Sequence, residues 1–170
     1  YRKQSEDFNR RQLQKITTES FIFPTMYWGD EGRIEKMKDS FPIPEMLELK
    51  VGAEVIFTQN DPQKRWINGT QGVIQEIKDK RITVQKKSGR DVTVDPVSFD
   101  LMNAEGEIVM SATQFPLNLG YATTIHKSQG ATLDKVWCDL SQLWEPGQAY
   151  VALSRLRDSA GLNLIKWSTS

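Results

Sequence analysis

The chain has 170 residues, of which 38% are hydrophobic and 26% are charged, and its 22 basic and 22 acidic side chains give a net charge of zero. These proportions exclude a disordered or collagen-like protein, and the length suits one domain or two small ones. No apolar run approaches the ~20 residues of a membrane-spanning helix, and the single Cys138 cannot form a disulfide within the chain, which predicts a reducing, intracellular compartment.

The first sixty residues predict one helix and one strand. Residues 3–16 are polar with few apolar positions and predict a surface helix. A short apolar segment ends at Pro24, and residues 28–48 predict an irregular connection with a helical turn or two near residues 33–38. β-Branched and aromatic residues then predict a strand at residues 54–58.

Four short runs in the middle of the chain have the pattern of β-strands. They lie at residues 72–77, 81–85, 91–94 and 97–102 and are separated by turn signals. In the second and third runs, apolar and polar residues alternate, as they do in half-buried antiparallel strands. Several short strands in so short a segment predict a small β-barrel.

The last third predicts longer elements. Strands are expected at residues 117–125, 135–140 and 162–167, and a helix is expected at residues 148–157. A strand, a helix and a second strand around a loop are typical of one side of an open α/β sheet. The pattern therefore predicts an α/β fold interrupted by a small β-barrel.

The positive charge is concentrated in the predicted barrel. Residues 64–95 hold eight basic and four acidic side chains, so this stretch carries the surplus that the net charge conceals. Such a local asymmetry could contact phosphates. Charge alone favours the alternative, which is a solvated surface rich in turns.

Two further segments could carry chemistry. Residues 124–130 (TIHKSQG) follow a predicted strand and offer several donors for phosphate oxygens at its carboxyl end, where open α/β sheets bind ligands. By spacing alone, phosphate binding and a structural role are equally supported. In residues 147–155 (GQAYVALSR), a packed helix would hold Arg155 near its end, where it could reach a partner's phosphate. Composition alone favours Arg155 as a helix cap.

Taken together, TTIHKSQG and GQAYVALSR resemble motifs V and VI of superfamily 1B DNA helicases, most closely the Pif-type and RecD-like branch. The stretch LELKVGAEVIFTQND…WINGTQGVI is also similar to that branch. The resemblance covers roughly residues 47–165. It implies an α/β, RecA-like P-loop NTPase motor domain (2A) at residues 1–65 and 113–170, interrupted by an SH3-like β-barrel insertion (2B) at residues 66–112.

The resemblance also implies roles for individual residues. The residues of motif V that would contact the DNA backbone are Thr124, His126, Lys127 and Ser128. Gln129 and Gly130 would face the nucleotide, and Gln148 would lie near the same cleft. The motif VI arginine, Arg155, would act as a catalytic arginine finger on the γ-phosphate of ATP.

The barrel is expected to contribute Lys64, Arg65 and Trp66 to DNA binding. A basic groove with an aromatic ring suits sequence-independent binding of a single strand. These residues and the basic hairpins at residues 78–90 would then line the path of the strand or contact the duplex fork. In the alternative interpretation, Trp66 packs beneath the Asn68-Gly69 turn and the lysines are solvated.

Two hallmarks of a complete motor are absent from the sequence. There is no G-x-x-x-x-G-K-[ST] phosphate loop and no strand-borne acidic pair for Mg²⁺, and no spacing of residues indicates a metal site. Because the chain starts at Tyr1, we expect a C-terminal segment of a longer helicase. ATP and Mg²⁺ would be bound mainly by an upstream RecA-like domain (1A), and the segment alone would be inactive.

The resulting expectation is the motor region of an ATP-dependent 5′–3′ DNA helicase, with single-stranded DNA, the duplex fork and domain 1A as partners and no membrane contact. Its compartment would be the bacterial cytoplasm, or the nucleus or mitochondria of a eukaryote. Two alternatives stay open. The chain could be a non-motor scaffold that binds nucleic acid or protein, or the helicase module of a larger nuclease or relaxase.

Overall fold

The computed structural model describes residues 2–41, 43–122, 133, 136–140 and 147–167. Its helices are α1 (Arg2–Gln14), α2 (Glu31–Met37) and α3 (Gln148–Leu153). Its strands are β1 (Ser20–Pro24), β2 (Met26–Gly29), β3 (Met46–Lys50), β4 (Glu54–Phe57), β5 (Gln71–Lys78), β6 (Arg81–Lys86), β7 (Asp91–Val94), β8 (Val97–Met102), β9 (Ile108–Gln114), β10 (Leu117–Leu119), β11 (Val136–Leu140) and β12 (Leu162–Trp167). None of the described helices is long and apolar enough to cross a membrane.

A five-stranded antiparallel sheet forms the centre of the described structure. Its strand order is β10-β4-β5-β6-β7. The turn between β5 and β6 consists of Asp79 and Lys80, which both have positive φ angles, of 49° and 61°. A two-residue turn with this backbone matches the twist of antiparallel strands and fixes their register. The strands predicted within residues 71–94 are confirmed.

The hydrophobic core lies on one face of this sheet. It contains alternate residues of the strands, because successive side chains of a strand point to opposite faces. Its fully buried members from the sheet include Val55, Phe57, Ile74, Ile82, Val84, Val94 and Leu117. Helix α1 contributes Leu13 to the same core, and the β1–β3 pair contributes Leu47 and Leu49. The predicted N-terminal helix is therefore confirmed.

The predicted limits of the insertion, residues 66 and 112, do not coincide with the ends of this sheet. Strand β4 lies before residue 66 and β10 lies after residue 112, yet both are hydrogen-bonded into the sheet that contains β5, β6 and β7. Strand β8, which the sequence placed inside the insertion, belongs to another sheet. The difference arises because turn signals mark chain reversals without specifying which strands pair.

The second sheet has the order β2-β9-β8 and a small core of its own. Ile43, Phe99 and Ala112 are buried there. Neither β2 nor β9 was predicted. Strand β2 is short and exposes Trp28 at 65% of its surface, so its sequence lacks the alternation by which a half-buried strand is identified.

The C-terminal part contains a β–α–β unit. Strands β11 and β12 pair in parallel, and α3 lies between them in the chain. The helix ends at Leu153 and not at residue 157 as predicted. It ends because the backbone then pairs with Leu133: the Leu133 N–H donates to Arg155 O at 2.9 Å, and the Arg157 N–H donates to Leu133 O at 3.0 Å. The strand predicted at residues 162–167 is confirmed.

Candidate functional site

Motif V lies outside the described residues, but the chain on both sides of it is held by hydrogen bonds. On the N-terminal side, the Asn9 side chain donates from Nδ2 to Ala122 O and accepts from the Ala122 N–H, both at 2.8 Å. On the C-terminal side, Leu133 is bonded to the segment after α3. The predicted DNA contacts Thr124, His126, Lys127 and Ser128, and the predicted nucleotide contacts Gln129 and Gly130, belong to this undescribed segment.

Arg155 lies just after α3 and is partly buried. Its Nε donates to Val151 O at 3.3 Å, and its Nη2 donates to Ser154 Oγ at 3.1 Å. The first contact satisfies a carbonyl at the end of the helix, as the capping interpretation expects. Within the described residues Nη1 has no hydrogen bond, so the guanidinium keeps donors for a further ligand. Gln148 begins the helix, and only its backbone is described.

A tight turn at residues 61–66 brings a buried carboxylate against an arginine. Asp61, whose side chain is 3% exposed, accepts from Arg65 Nε at 2.8 Å, from Arg65 Nη2 at 2.9 Å and from the Arg65 N–H at 3.0 Å. These hydrogen bonds hold the pKa of Asp61 below its ordinary value, although desolvation acts in the opposite direction. The same contact raises the pKa of Arg65.

Trp66 is part of the core. Its residue exposure is 5%, and its ring stacks on Phe57 with centroids 4.5 Å apart. The Arg65 guanidinium covers the ring at 4.5 Å from the centroid. Because Phe57 and Arg65 occupy the surroundings of the ring, Trp66 offers no exposed platform for a base in this structure. The burial agrees with the alternative in which Trp66 packs within the fold.

Basic residues surround a cleft of about 220 Å³ beside this turn. We call it the basic cleft; its cationic lining residues are Lys64, Arg65, Lys86, Lys87 and Arg157. The Lys86 ammonium donates to Arg65 O at 2.6 Å, and the Lys87 ammonium donates to Gln71 Oε1 at 2.7 Å. Of the expected barrel contacts, Lys64 and Arg65 therefore lie at a positively charged surface.

Gly72 permits the close strand approach on which this surface depends. It pairs with Lys86 of β6, and a Cβ atom at Gly72 would lie 2.5 Å from Val84 Cγ1 and 2.7 Å from Gln85 O. Both distances are shorter than those real Cβ atoms adopt. Glycine is therefore required by the close packing of β6 against β5.

The opposite end of the five-stranded sheet is balanced in charge. A depression of about 510 Å³ there is lined by Glu76, Lys78, Asp79 and Arg81, together with Thr83 and Thr93. Arg81 pairs with Asp95 at 2.9 Å, and both side chains are more than half exposed. The basic hairpins of residues 78–90 therefore contribute to two different surfaces.

Sequence reasoning missed the residues that position the site. Asn9 was assigned only to a surface helix, and no local signal connects it with Ala122, which lies far along the chain. Lys86 and Lys87 were counted in a charge surplus without being assigned to the cleft. The four-residue spacing of Asp61 and Arg65 was a usable signal, because a short turn can bring such residues together. Among the described residues, no group of three potential metal ligands occurs.

The chain is similar in sequence to curated DNA helicases, although no family model matches it. It is 56% identical over 164 residues to the ATP-dependent DNA helicase Pif1 of Bdellovibrio bacteriovorus, a match that covers 96% of the chain and 37% of that protein. It is 35% identical to Pif1 of Campylobacter jejuni, with 90% of the chain and 38% of the relative covered. The chain therefore spans less than two fifths of the length of these curated relatives.

The fold is similar to that of solved Pif1 structures. Pif1 from Bacteroides in complex with ADP-AlF4 matches with a TM-score of 0.84 and 32% identity over 100% of this chain and 40% of the other. Bacteroides Pif1 bound to single-stranded DNA matches with a TM-score of 0.71 and 32% identity over 99% of this chain and 40% of the other. The predicted α/β fold, shared with these helicases, is confirmed.

Proposed function

We propose that this chain belongs to the Pif1 family of ATP-dependent DNA helicases and forms part of its motor, where it binds single-stranded DNA and supplies an arginine to the ATP site. The observation that carries the proposal is the 56% identity to the Bdellovibrio Pif1 helicase over 164 residues. The structural match to Pif1 bound to ADP-AlF4 supports the nucleotide part, and the match to Pif1 bound to single-stranded DNA supports the DNA part.

The nucleotide site would be completed by a domain outside this sequence. The chain contains no phosphate loop, so the β- and γ-phosphates of ATP, with Mg²⁺, would be held mainly by an upstream domain 1A. The donors left on Arg155 fit a terminal phosphate, because two of its three nitrogens are engaged and Nη1 is available within the described residues. Gln129, Gly130 and Gln148 would face the same nucleotide. When bound, ATP supplies free energy through hydrolysis.

Arg155 would act as the arginine finger. Its contact with Val151 O joins the guanidinium to the end of α3, so a movement of this helix would move the guanidinium with it. An arginine directed at a transferring phosphoryl group stabilises the charge that develops there, with effects of about 10³–10⁵ on rate. Arg155→Ala in the full-length protein should therefore lower kcat for ATP by about 10³-fold or more.

The Arg155→Ala measurement needs a DNA-binding control. The affinity for single-stranded DNA should stay within a few-fold of the parent, because Arg155 is not assigned to the strand. Arg33→Ala, which removes an exposed charge of α2, should leave ATP turnover unchanged. A normal kcat in the Arg155 variant contradicts the arginine-finger role. A parent protein without DNA-stimulated ATP hydrolysis contradicts the helicase proposal itself.

Motif V would make the backbone contacts to the strand through Thr124, His126, Lys127 and Ser128. Since phosphate contacts carry no sequence information, Lys127→Ala should weaken binding about equally for oligonucleotides of any sequence. Fluorescence anisotropy with several oligonucleotides tests this expectation. A loss confined to one sequence would mean that Lys127 reads bases, and no loss at all would favour the non-motor scaffold.

The proposed direction of unwinding is 5′ to 3′, at a duplex fork. It is tested by strand displacement with substrates that carry a single-stranded tail on either the 5′ or the 3′ side of the duplex. Displacement that requires the 5′ tail is expected. Displacement that requires the 3′ tail would contradict the polarity while leaving the ATP-dependent activity in place.

A further inference from the structure

We infer that Asn9 is a positioning residue for motif V: its side chain holds the backbone that leads into the motif, and it thereby sets how readily single-stranded DNA activates ATP hydrolysis. The inference rests on the proposed function, in which motif V contacts both the strand and the nucleotide. It gives a role in DNA activation to α1, which the sequence predicts only as a surface helix.

The Asn9 carboxamide makes two hydrogen bonds with a single residue. Its Nδ2 donates to Ala122 O and its Oδ1 accepts from the Ala122 N–H, each at 2.8 Å. Because the amide has one donor side and one acceptor side, only one orientation of the side chain satisfies both bonds. The two residues are 113 positions apart in the chain. Ala122 precedes Thr124, the first predicted DNA contact of motif V, by two residues.

Ala122 requires partners from outside the sheet. Strand β10 ends at Leu119, so its ladder with β4 does not extend to the backbone of Ala122. The residue is partly buried, and a buried backbone N–H or carbonyl that lacks a hydrogen bond is costly. The Asn9 side chain therefore takes the place of a neighbouring strand for this one residue.

The connection between β10 and Ala122 is held from its other side by β4. The Gly120 N–H donates to Glu54 O at 2.8 Å, and the Tyr121 hydroxyl accepts from the Glu54 N–H at 3.1 Å. A Cβ atom at Gly120 would lie 2.9 Å from the carbonyl carbon of Val55, closer than real Cβ atoms come, so glycine is required there. Within the described residues, β4 thus holds the start of the connection and α1 holds Ala122.

Helix α1 is a firm support because it is anchored in the core. Leu13 is 2% exposed and packs in the core of the five-stranded sheet. Residues four apart lie on the same face of a helix, so the packing that buries Leu13 also directs Asn9 toward the fold. Arg10 and Gln14, on other faces of the helix, are exposed. The two hydrogen bonds therefore tie the position of Ala122 to that of the core.

The test uses the full-length protein that contains this chain, with Asn9→Ala. ATP hydrolysis is measured against the concentration of an oligothymidylate, which gives kcat and the DNA concentration for half-maximal activation. We expect this concentration to rise about ten-fold, the effect of losing one or two neutral hydrogen bonds that hold the DNA-binding arrangement. A merely structural role would not move it. Partial unfolding leaves fewer active molecules and lowers kcat, but the folded molecules bind DNA as before.

Two further variants separate the contact from the stability of the helix. Alanine is a better helix former than asparagine, so Asn9→Ala should not weaken α1 itself. Gln14→Ala removes an exposed amide from the same helix and should keep the half-activating DNA concentration of the parent. Asn9→Asp keeps the size of the side chain but replaces the donor to Ala122 O by a second oxygen, so it should be impaired at least as much as Asn9→Ala.

A double variant tests whether Asn9 acts through motif V. The dissociation constant for the oligonucleotide is measured by anisotropy with and without Asn9→Ala, in the parent and in Lys127→Ala. The factor by which Asn9→Ala weakens binding should be smaller in the Lys127→Ala background, because one of the contacts that Asn9 positions is already absent. Equal factors in the two backgrounds would mean that Asn9 acts independently of motif V and would overturn the inference.

The inference and the proposed function can fail separately. A half-activating concentration that Asn9→Ala leaves unchanged, or that Gln14→Ala raises equally, overturns the inference, whereas DNA-stimulated ATP hydrolysis by the parent would still support the proposed function. A parent whose ATP hydrolysis does not respond to DNA overturns both. Circular dichroism establishes that each variant is folded at the temperature of the assay.

Discussion

The two ends of the five-stranded sheet carry arginine–aspartate pairs of nearly equal length but different surroundings. At the cleft end, Arg65 Nε lies 2.8 Å from Asp61, whose side chain is 3% exposed. At the hairpin end, Arg81 Nε lies 2.9 Å from Asp95, and both side chains are more than half exposed. Distance alone therefore does not distinguish the pairs, but burial does, because water screens the exposed pair and competes for its hydrogen bonds.

The difference extends to the surface charge. At the cleft end, the carboxylate of Asp61 is bound by Arg65, and none of the described residues that line the cleft is acidic. At the hairpin end, two acidic side chains balance two basic ones. Basic residues occur at both ends of the sheet in the sequence. The register of the strands determines at which end they outnumber the acidic side chains on the surface.

Trp66→Ala should have the largest effect on stability. The ring is buried between Phe57 and the Arg65 guanidinium, and its removal leaves a cavity that costs about 3–5 kcal/mol of the free energy of unfolding. Ile77→Ala at the hairpin end removes a partly buried side chain and should cost about 1–2 kcal/mol. Urea unfolding followed by circular dichroism measures both. Equal losses would mean that Trp66 contributes little packing.

The sequence predicted the strands of this sheet better than it predicted their partners. Strands β6 and β7 alternate apolar and polar residues, and β5, β6 and β7 are separated by short turns at residues 79–80 and 87–90, which are local signals. The pairing of β4 with both β5 and β10 depends on contacts between distant residues. Because turn signals do not specify such pairing, the insertion at residues 66–112 stays a prediction.

The candidate site was predictable only in part. Arg155 was expected near the end of a helix and lies there, but the earlier end of α3 depends on pairing with Leu133, which no local pattern encodes. Trp66 had two interpretations because an aromatic residue beside basic ones is compatible with either a stacking platform or a core position. Only the position of Phe57 and the Asp61–Arg65 turn decides between them.

Gly72→Ala should have the next largest effect. The new Cβ atom would collide with the backbone oxygen of Gln85 and with the buried Val84, so β6 must move away from β5, at a cost of about 3 kcal/mol. Gly89, in the turn between β6 and β7, has a φ angle of +85° but nothing near its Cβ position. Gly89→Ala should therefore cost only about 1 kcal/mol, from backbone strain. Thermal unfolding of both variants checks the order.

A shift of β6 has a second consequence. Lys86 pairs with Gly72, and Lys87 donates to Gln71, so Gly72→Ala should weaken oligonucleotide binding by the full-length protein if the basic cleft is a DNA contact. Gly89→Ala should affect binding less. Destabilisation without any change in DNA affinity would show that the placement of β6 is not needed for binding.

Asp61→Asn should destabilise the protein more than Asp95→Asn. The amide retains the volume of the carboxylate but weakens three hydrogen bonds from Arg65, at a cost of about 2 kcal/mol. The exposed pair at the hairpin end should contribute about 0–1 kcal/mol. Raising the salt concentration should further reduce the small loss in the free energy of unfolding that Asp95→Asn causes, because salt screens exposed charges. Equal effects would mean that burial does not distinguish the two ends.

The acid dependence of stability should provide the finest comparison. The Arg65 hydrogen bonds lower the pKa of Asp61 in the folded state, so its contribution is present above the unfolded-state pKa of about 3.9 and is lost as pH falls through the folded-state pKa. The free energy of unfolding of the parent should therefore decrease below about pH 4. Asp61→Asn should show a shallower decrease, because the group that takes up the proton is gone. If the stability of Asp61→Asn falls with pH as steeply as that of the parent, the acid sensitivity belongs to other carboxylates. Asp100 is the first of these to replace, because the Ser98 and Ser111 hydroxyls lower its pKa.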